Sequence, residues 1–355
     1  MSHVLALLGC AVVIYLACEW FVNAIEWLGE RLQVGSMAVG SILAAVGTAL
    51  PESVVTLVAV LVAGGGLGGA GGSAPGGPAS GGLAIGAAMG GPLVVGTVAD
   101  AVTGAMLLLR QRARVAVRTG AGGSQDVDPL DGTDLVRMGR DQAWFLTIFV
   151  VKVGLGLVAF AVKPWLGLLF FAAYAVYFRR ELSSPGDPDE VVDLEPLRLT
   201  PRAGRPATWA VVTQTVATVV LIFVASRLFV DQLAWAGPVM GLSTSVVALL
   251  LSPVATELPE VLNAVIWVRQ GKTSLALANI SGAMMIQATV PSGIGLLGTP
   301  WRFDTPLLLS GLATLASVVY LLALFRTGRV SAGRLVMAGG FYLAFAAALA
   351  AAGAL

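Results

Sequence analysis

Apolar stretches long enough to cross a bilayer recur ten times along this chain, and nothing else constrains its fold as strongly. They lie at 4–28, 34–63, 82–109, 142–161, 164–178, 208–235, 240–268, 273–298, 305–325 and 332–353, the fifth being the shortest. A hydrocarbon core asks for about 20 apolar residues per helix. Within it each backbone N–H and C=O must be satisfied by the segment itself, so such runs fold as helices. Composition agrees: 57% of the 355 residues are hydrophobic and 12% charged, with a mean hydropathy of +0.87. That excludes a soluble globular domain. The expected fold class is an all-α polytopic membrane protein with ten transmembrane helices.

The placement of charge gives the orientation. Of the 21 Lys and Arg residues, 17 fall between spans on one side: at Arg31, within 110–140 and 179–205, and at Arg269, Lys272, Arg326, Arg329 and Arg334. Only Lys163 and Arg302 fall on the other side, while Lys152 and Arg227 lie within spans. Positively charged loops stay on the cytoplasmic side. Both termini are therefore expected outside a cell (inner) membrane, together with the glycine-rich run 64–82. That run reads as a flexible, disordered loop, and 111–141 and 179–206 read as polar loops, the second a linker between halves. The first apolar run continues as a full span with no basic segment before it, so no cleavable signal peptide is expected. Cys10 and Cys18 follow no metal or disulfide spacing and read as small buried hydrophobes. The only histidine, His3, excludes a histidine-built metal site.

Sliding the chain against itself by 208 residues aligns 15–52 with 223–260 without a gap. Ala17, Phe21, Val22 and Trp27 meet Ala225, Phe229, Val230 and Trp235. "GTALPE" (47–52) then meets "ATELPE" (255–260), matching Thr48, Leu50, Pro51 and Glu52 with Thr256, Leu258, Pro259 and Glu260. Each copy holds five spans, an odd number, so the copies are inverted in the membrane, as in many secondary transporters. The expected organisation is a first five-helix repeat at 1–178, a cytoplasmic linker at 179–207 and a second repeat at 208–355. Pro51 and Pro259 fall mid-span without an N–H, so a break is expected at each. Irregular backbone is tolerated at that depth only where protein buries it or a cavity needs it. Freed carbonyls, a threonine hydroxyl and a carboxylate from each half then converge at the midplane. Such an oxygen-only cluster suits a hard cation. A carboxyl taken out of water holds its proton until a cation displaces it, so the same groups can exchange metal for protons.

These residues resemble the sodium/calcium exchangers and their relatives in the cation/calcium antiporter superfamily. Members carry two repeats, each with a G-T-S-L-P-E-like motif followed one helix later by a G-N-x-x-G-S-N-like motif. "AAVGTALPES" (44–53) and "PVATELPEV" (253–261) look like the first motif twice; "AIGAAMGGPLVV" (84–95) and "ALANISGAMMIQ" (276–287) sit where the second belongs. The resemblance implies that Glu52, Glu260, Thr48 and Thr256 coordinate the transported cation. It also implies where this chain departs. The family's serine in the second motif is Gly91 in one half and Ala283 in the other, and the amide or carboxylate four residues on is Val95 and Gln287. Glu257 stands where a serine is usual, opposite Ala49 in the first half. Glu257 and Gln287 thus join the candidate ligands, and fewer ion sites are expected than in an exchanger of the usual kind. The implied function is exchange of Ca²⁺ or a related divalent cation for Na⁺ by alternating access, with H⁺ as the rival counter-ion. No resident cofactor is implied. The expected partners are the cations and the bilayer, with no nucleic acid, in a monomer or weak oligomer.

The remaining intramembrane charges suggest structural pairs. The repeat sets Glu19 opposite Arg227, and an ion pair between their helices is expected, since either charge alone is costly. Asp100 and Lys152 are expected to neutralise each other, with Asp100 also a candidate for an ion path. Trp267, near Arg269 and Lys272, reads as an interfacial anchor. A membrane enzyme using the glutamates as acid and base is disfavoured, because no nucleophile, histidine-metal or phosphate-binding motif accompanies them. A channel or ion sensor is a third class, separable by saturable counterflow.

Overall fold

The computed structural model describes residues 2–63, 78–118, 132–183, 194–239, 241 and 250–353; some side chains inside these helices, that of Glu52 among them, lie outside the description. All regular structure among the described residues is helical. The described residues form ten helical rods: α1 (Ser2–Leu32), α2 (36–63), α3 (78–118), α4 (Gly132–Leu157), α5 (163–182), α6 (Thr208–Val239), α7 (Ser252–Thr256 and Leu258–Gln270), α8 (Thr273–Gly298), α9 (Thr305–Arg326) and α10 (Ala332–Met337 and Gly339–Ala351). By length and apolarity alone, six of these cross a membrane among the described residues. Their outer faces carry exposed aliphatic side chains at helical spacing, such as Leu5, Leu8, Val12 and Leu16 on α1 and Val212, Val216 and Val220 on α6. Apolar stripes on the outside of a bundle face lipid.

The packing is symmetric under exchange of the two halves. α8 packs on α2, α4 and α5, and its counterpart α3 packs on α7, α9 and α10; α1 pairs with its own counterpart α6. The fold is therefore two inverted five-helix repeats. α8 is the most enclosed rod, buried from Thr273 to Leu296 on nearly every turn. Glycine allows this. A Cβ on Gly282 would stand 2.0 Å from the Ser41 carbonyl oxygen, and one on Gly40 would stand 2.8 Å from that of Leu275. Backbone thus meets backbone where α8 crosses α2.

Several helix ends follow from local chemistry. Gly271, at φ +90°, closes α7 as a left-handed cap. Asp304 accepts from the Leu307 N–H at the start of α9, and Ser331 accepts from that of Arg334 at the start of α10.

Several expectations change. The stretch 111–141 is mostly helical, because α3 runs to Arg118 and α4 begins at Gly132; only 119–131 lie outside the described residues. Likewise α3 begins at Pro78, inside the glycine-rich run, of which 64–77 lie outside the description. The linker is packed where it is described. Leu197 is fully buried beside Ala24, Trp27, Ala210 and Val211, and Asn23 donates to the carbonyls of Glu195 and Pro196.

The break expected at Pro51 is not there. Ala45–Ala63 is continuous α-helix, and the irregularity lies earlier, in a π-helical stretch at Val39–Ala44. A widened turn resets the hydrogen-bond ladder upstream of the proline. A second π stretch, Val95–Ala99, follows Pro92 in α3.

Neither expected ion pair forms. Glu19 accepts from the Tyr15 hydroxyl at 2.7 Å and faces Arg198 of the linker at 3.8 Å, while Arg227 lies over the Phe223 ring. The linker supplies the cation that a two-helix view overlooks. Trp267 is no surface anchor either: it is fully buried, and its indole N–H donates to Glu26 Oε1 at 2.8 Å.

Candidate functional site

The site grows from the interruption of α7. Its first piece ends at Thr256, Glu257 adopts a non-helical turn at φ −85° and ψ 5°, and helix resumes at Leu258. Pro259, in the first turn of the new helix, has no N–H to return to the carbonyl of Ala255. The Thr256 hydroxyl donates to the Pro253 carbonyl at 3.0 Å, which leaves its lone pairs available to a ligand. Glu257 is 0% and Glu260 1% exposed, both inside protein rather than lipid. Glu257 Oε2 accepts from Gln287 Nε2 of α8 at 2.6 Å. One turn on, the backbone carbonyl of Glu260 accepts from Asn279 at 3.4 Å. The Cys18 thiol of α1 closes the other side, 3.8 Å from the Pro259 carbonyl oxygen.

The carboxylate of Glu257 lies against α3, and the contact explains a departure in the motif. A Cβ at Gly91 would meet Glu257 Oε1 at 2.7 Å and Gln287 Oε1 at 3.0 Å. The space that a serine would use at 91 is thus filled by the carboxylate delivered from α7. Gly90 is close as well, its Cβ position 3.1 Å from Pro253. Loss of an oxygen on α3 and gain of one at 257 are the two sides of one exchange.

In the first half, Thr48 is buried and its hydroxyl donates to the Ala44 carbonyl at 3.2 Å. Both threonines bond back along their own helix, Thr48 to the fourth residue before it and Thr256 to the third. Glu52 occupies the backbone position one turn beyond Thr48, within Ala45–Ala63. Its side chain lies outside the described residues. Of the six candidate ligands, the structure joins Glu257 to Gln287 directly, puts Thr256 and Glu260 on the same junction, and buries Thr48 with its hydroxyl bonded within its own helix.

Lys152 of α4 also reaches this layer, though not toward Asp100 as expected. It is 0% exposed and donates to the carbonyls of Ala88 at 2.6 Å and Gln287 at 3.5 Å, with the Phe149 ring 5.1 Å away. Asp100 is buried, and its Oδ2 has no hydrogen-bond partner among the described residues. Asn263 and Asn279, both fully buried on α7 and α8, were not singled out from the sequence. Their signal was faint, since an amide in an apolar span is common helix–helix glue. Among the described residues no group of three or more His, Cys, Asp or Glu is placed to hold a metal ion, so any cation here would also draw on amide, hydroxyl and carbonyl oxygens. The donors here are carboxyl, amide, hydroxyl and carbonyl oxygens, a set for hard cations.

Comparison with known proteins bears on the family and the fold. The family model described as "Sodium/calcium exchanger protein" matches residues 2–179 and 210–351. No curated relative matches the chain by sequence. Among solved structures, the sodium-calcium exchanger NCX_Mj soaked with 2.5 mM Na⁺ and 0.1 mM Ca²⁺ superposes with a TM-score of 0.71 at 14% identity, covering 98% of this chain and 99% of that one. NCX_Mj soaked with 10 mM Na⁺ and zero Ca²⁺ gives 0.71 at 15% identity, covering 98% of each chain. At such identity the likeness speaks for the fold, and the family model, which spans most of the chain, speaks for membership. The chain belongs to the sodium/calcium exchanger protein family.

Proposed function

We propose that this chain is a secondary antiporter that exchanges Ca²⁺, or a related divalent cation, for Na⁺ by alternating access. The carrying observation is the α7 junction, where Glu257 and Glu260 are buried beside a helix interruption with Gln287 and Thr256 at hand. Intramembrane carboxylates at a broken helix are how transporters of inverted-repeat design hold cations. Glu52, Glu260, Thr48, Thr256, Glu257 and Gln287 form the proposed ligand set. The arginine-rich ends face the cytoplasm, both termini lie outside, and the protein sits in the cell membrane.

Each role follows from chemistry. The carboxylates neutralise the divalent charge, while the two threonine hydroxyls and the Gln287 amide complete an oxygen shell without adding charge. Emptied of metal, the carboxylates must bind another cation before the site crosses a low-dielectric barrier uncharged. That obligation couples the two fluxes. The α1–α6 pair is the moving unit in this reading, because these helices pack chiefly on each other and touch the core less extensively.

The test is uptake of radiolabelled Ca²⁺ into proteoliposomes under an imposed Na⁺ gradient. Glu52→Gln and Glu260→Gln are each expected to abolish it, and near-normal uptake in both would sink the site assignment. A proton gradient applied alone decides the counter-ion: uptake driven by it without Na⁺ would replace sodium with H⁺. Cysteine substitutions at Arg302 and Arg329, reacted with an impermeant thiol reagent on whole cells, test the orientation. Labelling at 302 and protection at 329 are expected.

A further inference from the structure

Two carbonyls in the site layer are left over by the sequence itself. In an α-helix each carbonyl is met by the N–H four residues on. Pro92 has none to offer Ala88, and Pro291 has none to offer Gln287. These prolines sit inside the two helices that carry the second motif, α3 and α8. The structure gives both released carbonyls to one atom, the Nζ of Lys152, at 2.6 and 3.5 Å. The face of Phe149 supplies a third attractive contact. Among the described residues, no carboxylate lies within ion-pair distance of this amine.

A buried ammonium normally meets a carboxylate. Here it is held by neutral backbone oxygens between three helices, in the manner in which carriers hold an alkali cation at freed carbonyls. The location fits as well. Gln287, whose carbonyl it takes, gives its side chain to Glu257, and Ala88 lies one turn before Gly91, against which Glu257 rests. On the same face of the site, Gly91 and Val95 offer no side-chain oxygen to a second free ion.

We propose that the Lys152 amine is a tethered cation that occupies a monovalent-ion position, so that this carrier binds one fewer exchangeable monovalent cation per cycle. The stoichiometric part rests on the exchanger reading; the occupancy does not. Lys163 marks the contrast. Its amine also takes two carbonyls, those of Val158 and Trp301, but these lie just past the ends of α4 and α8, and no proline releases them; there the lysine fastens a turn.

The experiment removes the charge and offers a free ion instead. Lys152→Met and Lys152→Gln are purified in detergent, and thermal unfolding is followed in NaCl, KCl and N-methylglucamine chloride of equal ionic strength. Both variants are expected to melt several degrees below the wild type in N-methylglucamine and to recover most of the loss in Na⁺ or K⁺. The wild type, which takes Na⁺ only at its exchangeable sites, should gain less from Na⁺ than either variant and nothing from K⁺. A loss of the same size in all three salts would identify Lys152 as a fastener and overturn the proposal. Failure of both variants to accumulate even with Na⁺ or K⁺ present throughout would overturn it equally, since the free ion is expected to fill the vacancy. In proteoliposomes, Lys152→Gln should show a steeper Na⁺ dependence, its Hill coefficient raised by about one; an unchanged coefficient counts against the proposal. Absence of gradient-driven Ca²⁺ uptake in the wild type would defeat the exchanger reading alone, because salt-specific rescue of folding is read without transport.

Discussion

At the scale of single residues, the site is decided by which side chain fills one small volume. Glu257 and Gly91 share it, with 2.7 Å between a carboxylate oxygen and the place where a Cβ would stand. Gly91→Ser in the presence of Glu257 therefore forces two oxygens together in a tightly packed layer, an overpacking that typically costs about 1–3 kcal/mol. A lower melting temperature and weaker divalent binding are expected for that variant. Glu257→Ser alone opens the volume and removes a charge. The double variant restores an oxygen on α3 and should recover the melting temperature beyond the sum of the two single effects, since contacting residues are not additive. Additive losses in the double-mutant cycle would show that the two positions do not share space. The sequence alone showed both departures but could not show that they were one, because 91 and 257 are distant along the chain and meet only through the crossing of α3 and α7.

At the scale of elements, prolines and glycines set where helices bend and how closely they approach. Pro259 was legible as a break because it falls mid-span without an N–H, and the structure seats it in the first turn of a new helix, where Pro is suited. Pro51 was misleading, for the same residue type is carried inside a continuous helix once a π stretch upstream absorbs the irregularity. Tertiary contact explains why the π stretch sits at Val39–Ala44: it faces the Gly40 and Gly282 crossing, where α2 and α8 touch backbone to backbone. Gly282→Ala puts a methyl group 2.0 Å from the Ser41 carbonyl oxygen, and backbone cannot yield as a side chain can. The variant is expected to separate α2 from α8 and to lose thermal stability and Ca²⁺ binding together. Unaltered melting would mean that the crossing is looser than drawn. Gly9 makes a control, since a Cβ there meets nothing within 4 Å and Gly9→Ala should be neutral.

At the scale of the whole molecule, α1 and α6 form a unit strapped by the linker and fastened to the core at few points. One fastening is Glu26, which takes the Lys272 amine at 2.6 Å and the Trp267 indole at 2.8 Å. If the pair moves past the core, this contact breaks in the opposite state. Glu26→Gln should then depopulate the conformation described here, seen as faster amide hydrogen exchange in α1; unchanged exchange would place the moving boundary elsewhere. Ten spans, their inversion and the paired L-P-E motifs could be read from the chain, since bilayer thickness and repeat identity act locally and leave a linear trace. Glu257 with Gly91, Lys152 with two proline-released carbonyls, and Glu19 with Arg198 could not. A buried charge takes whatever partner packing brings within reach, and only the tertiary structure decides which one that is.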